Sequence, residues 1–141
     1  MEAEVGFDGT YRMEYWTPVR VSLENTGSDR EGSLEVWVSA GSGTSVSYET
    51  PVRLPHSSSK EYTLYVKIRD LSRTLEIRLT DDKGETVKTL KVENLNPVSR
   101  DHYFLGLVTD DESSLGYWKE RMEGNQLLAN YQPVSFTAEN F

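Results

Sequence analysis

The stretch that decides the fold is YWTPVRVSLENTGSDREGSLEVWVSAGSG, residues 15–43. Apolar and polar residues alternate in both of its halves. The apolar positions are Val19, Val21, Leu23, Leu34, Val36 and Val38. A period of two is typical of a β-strand that buries one face. The intervening NTGSDREG supplies the Asn, Gly and Asp residues that form turns. The stretch therefore predicts two half-buried strands joined by a turn.

The same pattern extends in both directions along the chain. Strand candidates are residues 3–7, 10–15, 44–54, 60–68, 73–81 and 85–95. Pro51 interrupts one of them and predicts an edge strand or a strand that switches sheets. Val87 is out of phase with Leu90 and Val92, which predicts a β-bulge. About seven to nine short strands separated by turns favour an immunoglobulin- or fibronectin-III-like β-sandwich over residues 1–95.

The pattern changes after Leu95. NPVSRD has the composition of a linker, and HYFLGLVTD is a nearly continuous apolar run typical of a strand buried on both faces. DDESSLGYWKERMEGN then places Leu115, Trp118 and Met122 at helical spacing, with extended sequence after it. We therefore predict a short β-α-β segment over residues 98–141, the truncated start of an α/β domain.

Composition narrows the classes of partner and compartment. The chain has 141 residues and a net charge of −8, with no basic stripe for nucleic acid or anionic lipid. It has no cysteine, which excludes disulfides, zinc–thiolate sites and thiol nucleophiles, and an antibody-type disulfide with them. No apolar run reaches the roughly 18–20 residues that span a bilayer. No signal peptide follows Met1, so we interpret the chain as an excised piece if the natural protein is exported.

Two segments carry a resemblance to a known group of proteins, GFDGTYRMEYWTPVRVSLENTGSDREGSLEV in the first part and YFLGLVTDDESSL in the second. The chain resembles Gram-positive single-pass membrane proteins in which an extracytoplasmic immunoglobulin-like sandwich precedes a class I glutamine amidotransferase-like α/β domain. The resemblance implies a cell-envelope location and membrane attachment through parts absent from this chain. It implies no catalytic residue, because the chain ends before any position of a nucleophile.

Several residue patterns resemble catalytic or metal sites, and each has a simpler interpretation. His56 and His102 lie in separate segments, so we expect loop residues rather than metal ligands. Ser57, Ser58 and Ser59 follow His56 without the G-x-S-x-G signature of a hydrolase.

Two further patterns resemble a phosphate loop and a calcium site, and both also have a simpler interpretation. GSGTSV at 41–46 lacks the G-K-[ST] of a phosphate loop and predicts a hairpin turn. The acidic groups at 81–82 and 110–112 are too short for a calcium loop and fit a turn and a helix start. We predict no catalytic residue, no metal site and no cofactor.

Aromatic residues give the remaining candidate contacts. Alternation places Trp37 and Tyr65 on the outward faces of their strands, where they can contact a protein partner or stack on a sugar. We favour the alternative that another layer covers them, most simply the predicted helix with Trp118. Trp16 is a third candidate contact, although we expect it and Tyr15 to pack in the core or at its rim.

The sequence thus predicts a non-catalytic extracytoplasmic interaction or spacer module of a membrane-anchored bacterial envelope protein. Its partners would be proteins or other domains of the same polypeptide, with weak self-association through an open edge strand. One alternative is a carbohydrate-binding module that uses Trp37, Tyr65 and Trp16. A second alternative is an accessory domain of an enzyme whose active site lies beyond Phe141.

Overall fold

Nine β-strands make up the regular structure of the part of the chain that the computed structural model describes, residues 1–101. They are β1 (Glu2–Val5), β2 (Thr10–Arg12), β3 (Trp16–Asn25), β4 (Arg30–Gly41), β5 (Thr44–Leu54), β6 (Ser58–Lys67), β7 (Leu75–Asp81), β8 (Thr86–Val92) and β9 (Asn96–Val98). The predicted helix and the rest of the β-α-β segment lie outside the described residues.

Two antiparallel sheets enclose one hydrophobic core. One sheet has the strand order β1-β3-β6 and the other β5-β4-β7-β8. Buried side chains from both sheets form a single cluster, as in a sandwich. The prediction of a mainly β, sandwich-like domain is confirmed.

Alternation in β3 and β4 directs the apolar side chains into this core. Val19, Val21 and Leu23 are at most 2% exposed, and so are Leu34, Val36 and Val38. Each such side chain contributes about 1.5–3 kcal/mol when it leaves water. The polar residues between them therefore lie on the outer faces of the two sheets.

The β-bulge predicted near Val87 is present. Leu79 pairs with Lys88 and Thr80 pairs with Thr86, so Val87 has no partner across β7. Its side chain is 49% exposed. The extra residue resets the phase, which allows Leu90 and Val92 to pack against the core.

Strand β5 is an edge strand, one of the two roles that its proline predicted. Among residues 1–101 it pairs only with β4, and it continues through Pro51. A proline is tolerated at an edge because its missing N–H leaves no ladder bond unmade.

The prediction of a linker directly after Leu95 is wrong at its start. Asn96–Val98 form β9, which pairs in parallel with β2. Leu95 is 3% exposed and belongs to the core. Pro97 is tolerated in β9 because a strand paired on one side can place a residue without an N–H where no ladder hydrogen bond is needed. Residues Met1–Arg100 accordingly form one unit.

Tyr11 on β2 closes the core beneath this short parallel pair. It is 1% exposed, and its hydroxyl lies 2.9 Å and 2.6 Å from the carbonyl oxygens of Asp70 and Ser72. The single hydroxyl proton is shared between the two carbonyl oxygens. Tyr11 therefore connects β2 to the segment between β6 and β7. Burial, and secondarily the negative charge of Asp70, raises the pKa of Tyr11 above its ordinary value.

Candidate binding surfaces

Trp37 lies on the outer face of the four-stranded sheet, opposite Ser47 on β5 and Glu76 on β7. Its ring is covered by an arginine, since the guanidinium carbon of Arg78 lies 4.7 Å from the ring centroid. The indole Nε1 donates a hydrogen bond to Oε2 of Glu35 at 2.7 Å. Trp37 is half-buried as a result. The covering group found here is a side chain of the same sheet, while Trp118 lies outside the described residues.

An open depression of about 260 Å³ adjoins Trp37 on the same face. Its walls combine the indole with hydroxyl and charged side chains. The polar lining includes Ser39, Ser45, Glu76, Arg78 and Lys91. Two of the charges neutralise each other, because Nε of Arg78 lies 2.5 Å from Oε1 of Glu76. The depression therefore offers hydrogen-bonding groups beside the Trp37 ring, one face of which the Arg78 guanidinium already covers.

Trp16 and Tyr65 lie together on the outer face of the three-stranded sheet. Trp16 on β3 pairs with Lys67 on β6, and Pro18 pairs with Tyr65 in the next position of the same face. Trp16 is 64% exposed and Tyr65 is 63% exposed. We name the four residues Trp16, Pro18, Tyr65 and Lys67 the Trp16–Tyr65 surface. Neighbouring pairs on one face of a sheet bring aromatic side chains within reach of each other.

The expectation that Tyr15 and Trp16 pack in the core is wrong, whereas a rim contact exists for Trp16. Thr17 is the inward residue at this end of β3, with 3% exposure, so alternation directs Trp16 outward. The ring centroid of Trp16 lies 5.9 Å from that of Tyr48, with an interplanar angle of 81°. Tyr15 is 50% exposed, and the guanidinium carbon of Arg12 lies 4.0 Å from its ring centroid.

The sandwich separates Trp37 from the other two aromatic candidates. Trp37 faces outward from one sheet, and Trp16 and Tyr65 face outward from the other. Outer faces of two sheets that share a core point in opposite directions. A single ligand platform built from Trp37 and Tyr65 is therefore excluded, and the structure brings together Trp16 and Tyr65 instead.

His56 lies in the exposed loop between β5 and β6, as expected for a loop residue. Its Nδ1 is 2.7 Å from the carbonyl oxygen of Gly27, which can only accept, so Nδ1 carries the proton. Its Nε2 is 3.1 Å from Oγ of Ser57. The carboxylate of Asp29 accepts a hydrogen bond from the backbone N–H of His56 at 2.8 Å rather than from the ring. The three side chains therefore lack the carboxylate–imidazole bond of a catalytic triad.

Asn25 is a buried polar residue that was not among the candidates predicted from the sequence. Its Nδ2 donates toward the carbonyl oxygens of Ser28, Leu54 and Pro55 at 2.8, 3.0 and 2.9 Å. Its Oδ1 accepts from the backbone N–H of Gly27 at 3.1 Å. The side chain thus joins the two loops at this end of the sandwich. The only sequence signal is an Asn at an inward position of the strand pattern, just before a turn.

The two predicted hairpin turns are confirmed. Ser42 and Gly43 connect β4 to β5 with φ angles of 55° and 75°, as two-residue hairpin loops require. Oδ1 of Asp81 accepts from the backbone N–H groups of Lys83 and Glu85 at 2.9 and 2.8 Å. This carboxylate is therefore used by its own turn. Residues 110–112 and His102 lie outside the described residues.

Within residues 1–101, no three histidine, aspartate or glutamate side chains converge as metal ligands do. The same residues include no helix with the length and apolarity needed to cross a bilayer.

The fold and its surfaces define a mainly β, sandwich-like domain that displays aromatic side chains on both outer faces. Residues 1–95 match the family model described as Domain of unknown function (DUF8726), and the chain belongs to that family. A comparison with curated proteins found no match.

Proposed function

We propose that the chain is a non-catalytic interaction and spacer module, of immunoglobulin or fibronectin-III type, in the extracytoplasmic part of a membrane-anchored bacterial envelope protein. Support for the type comes from two antiparallel sheets around one core. Support for the location comes from the resemblance of the segments around residues 6–36 and 103–115. The residues after Arg100 would begin the α/β domain that the module holds away from the membrane.

The observation that carries the interaction role is the exposure of Trp16 and Tyr65 side by side. Large aromatic side chains at 64% and 63% exposure lie on one face of the β3–β6 pair. Tryptophan and tyrosine dominate binding energy in protein interfaces because they bury a large area at a small loss of rotamer entropy. The neighbouring ion pair between Arg20 and Glu4, at 2.9 Å, supplies a polar rim.

The test places a photoreactive phenylalanine analogue at position 65 of the protein produced from its complete gene in its own cells. We expect one discrete cross-linked protein adduct that weakens with Trp16→Ala. The matched control puts the analogue at Val87, which is 49% exposed on the edge strand of the other sheet. Identical adducts at both positions, or none at 65, would contradict a partner at the Trp16–Tyr65 surface.

A carbohydrate ligand is the second candidate for the same surface. The exposed pair Trp16 and Tyr65 favours it, because exposed aromatic rings can stack on sugar rings. Titration with soluble cell-wall glycans, followed by tryptophan fluorescence, distinguishes the candidates. A sugar site predicts a saturable change that Trp16→Phe removes and Trp37→Phe retains. The absence of any change with these glycans eliminates the candidate.

A further inference from the structure

The hydrogen bonds of one side chain, Tyr62, show which backbone groups of β5 point away from β4. The hydroxyl of Tyr62 accepts a hydrogen bond from the backbone N–H of Arg53 and donates one to its carbonyl oxygen, both at 3.1 Å. Arg53 therefore directs both backbone groups away from β4. In an antiparallel pair, residues that point both groups outward alternate with residues that point both toward the neighbouring strand.

The alternation extends to the other end of β5 without interruption. The register between β4 and β5 is regular from Arg30↔Leu54 to Ser39↔Ser45. Ser45, Ser47 and Glu49 are thus in phase with Arg53 and direct their backbone groups outward. Ser39 provides an independent check, because its carbonyl accepts from the backbone N–H of Arg69 at 3.5 Å. That carbonyl points away from Ser45, as expected if Ser39 and Ser45 form a pair without hydrogen bonds between them.

One half of this edge is closed and the other half is open. Tyr62 occupies the groups of Arg53, and Pro51 has no N–H to offer. The side chains of Ser45, Ser47 and Glu49 are exposed. Within residues 1–101, no hydrogen bond reaches the outward backbone groups of these three residues. We name these groups the β5 edge.

We propose that the β5 edge pairs with the β5 edge of a second copy of this chain, antiparallel about a two-fold axis through Ser47. This register places Ser47 opposite Ser47 and Glu49 opposite Ser45 of the second copy. All three outward residues then form hydrogen-bonded pairs, giving about six backbone hydrogen bonds. An axis through residue 46 or 48 leaves fewer such pairs, because it brings in the hairpin at Gly43 or the missing N–H of Pro51.

The side chains fit the same register. Small hydroxyl groups meet at the axis, and Glu49 faces a serine rather than a carboxylate. Val46, which is 44% exposed, lies opposite Tyr48 of the second copy. Aromatic and β-branched residues are favourable cross-strand partners. The pairing uses backbone groups of β5, whereas the proposed partner site uses side chains of the other sheet, with Tyr48 in contact with Trp16. Because different substitutions test the two proposals, the pairing can fail without the proposed function failing.

Charge sets how the association responds to salt. Each chain carries a net charge of −8, so two copies repel each other at long range. Added salt screens this repulsion. We therefore expect a reversible dimer that tightens as sodium chloride is raised.

The test uses single cysteines, because the chain has none of its own. Directly opposed Cα atoms in a hydrogen-bonded pair lie about 5.5 Å apart, within disulfide range. We expect Ser47→Cys to form a disulfide-linked dimer under mild oxidation and Ser45→Cys to remain monomeric. A mixture of Ser45→Cys with Glu49→Cys should cross-link. Equal cross-linking of Ser45→Cys and Ser47→Cys would overturn the register.

Sedimentation equilibrium of the full chain tests the association itself. Ser47→Pro removes the central N–H and should raise the dimer dissociation constant at least about tenfold, whereas Ser47→Ala keeps that N–H and should leave it unchanged. Circular dichroism confirms that both variants fold. A wild-type chain that stays monomeric at about millimolar concentration in high salt contradicts the proposal.

Discussion

The guanidinium of Arg78 covers the indole of Trp37, with its central carbon 4.7 Å from the ring centroid. Oε1 of Glu76 lies 2.5 Å from Nε of Arg78 in an ion pair. Oε2 of Glu35 accepts a hydrogen bond from the indole Nε1 of Trp37 at 2.7 Å. Side chains of the four-stranded sheet therefore cover part of the Trp37 ring. Trp37, a candidate contact that we expected another layer to cover, is partly covered there by Arg78 of the same sheet.

Arg78→Ala should uncover Trp37. We expect a red-shifted tryptophan emission and stronger acrylamide quenching, with a loss of stability of about 0.5–1 kcal/mol. Measurement in a Trp16→Phe background removes the signal of the exposed indole. The control is Arg53→Ala, whose ion pair with Glu31 has side-chain exposures of 79% and 60%. An unchanged spectrum in Arg78→Ala would show that the arginine does not shield the ring.

Tyr11 should make stability fall in alkaline solution. Its pKa is raised in the folded state, by burial first and by the charge of Asp70 second. The neutral phenol is thus favoured on folding, so its contribution is fully present below the unfolded value of 10.0 and is lost as pH rises above it. Urea unfolding between neutral pH and pH values above 10 should show a smaller decline for Tyr11→Phe than for wild type.

The same substitution has a cost at neutral pH. Tyr11→Phe leaves the carbonyls of Asp70 and Ser72 without this donor, and we expect a loss of about 1–2 kcal/mol. Tyr65→Phe is the control, because its side chain is 63% exposed. An alkaline decline as steep in Tyr11→Phe as in Tyr65→Phe would exclude Tyr11 as its source.

Gly32 should not tolerate a side chain. A Cβ there would lie 1.9 Å from the backbone oxygen of Thr80, so β4 or β7 would have to move. We expect Gly32→Ala to cost about 1–3 kcal/mol in chemical denaturation. Gly27→Ala is the matched control, because its Cβ would meet only Oδ1 of Asn25, at 3.7 Å. Equal stability of the two variants would contradict the close approach of the strands.

Asn25 should be required for the loop end of the sandwich. Asn25→Ala removes donors to three carbonyl oxygens in a site that is 6% exposed, and we expect a loss of about 2–3 kcal/mol. Asn25→Asp should cost more at neutral pH, since a carboxylate would face carbonyl oxygens. Its deficit should shrink in acid, where the protonated carboxyl can donate.

The exposed neighbour Thr26 provides the control for this site, and Thr26→Ala should unfold like wild type. If Asn25→Ala and Thr26→Ala unfold at the same denaturant concentration, the amide bonds contribute nothing to stability.

The alternation of apolar and polar residues predicted most of the strands, because the side chains on the buried face of a half-buried strand are apolar at every second position. Val19, Val21 and Leu23 follow that rule, and Val87 shows that a break in phase can be read as a bulge. Position 16 was predicted less well. The same rule directs Trp16 outward once Thr17 is known to be inward, but a threonine gives no apolar signal at that position.

Nonlocal pairing accounts for what the sequence did not predict. Nothing local identifies Asn96–Val98 as a partner of β2, because a parallel pair depends on residues far apart in the chain. Alternation also showed that Trp37 and Tyr65 face outward without showing that they belong to different sheets. Sheet membership, and hence the Trp16–Tyr65 surface, required the strand order.

The central claim is that the Trp16–Tyr65 surface lies outside the cell and meets a partner there. Thiol labelling tests both parts, using Tyr65→Cys and Val87→Cys in the protein from its complete gene and a membrane-impermeant maleimide. In intact cells we expect Val87→Cys to react quickly and Tyr65→Cys several-fold more slowly, with equal rates for the purified protein. Labelling of either site only after lysis, or equal rates in intact cells, would contradict the account.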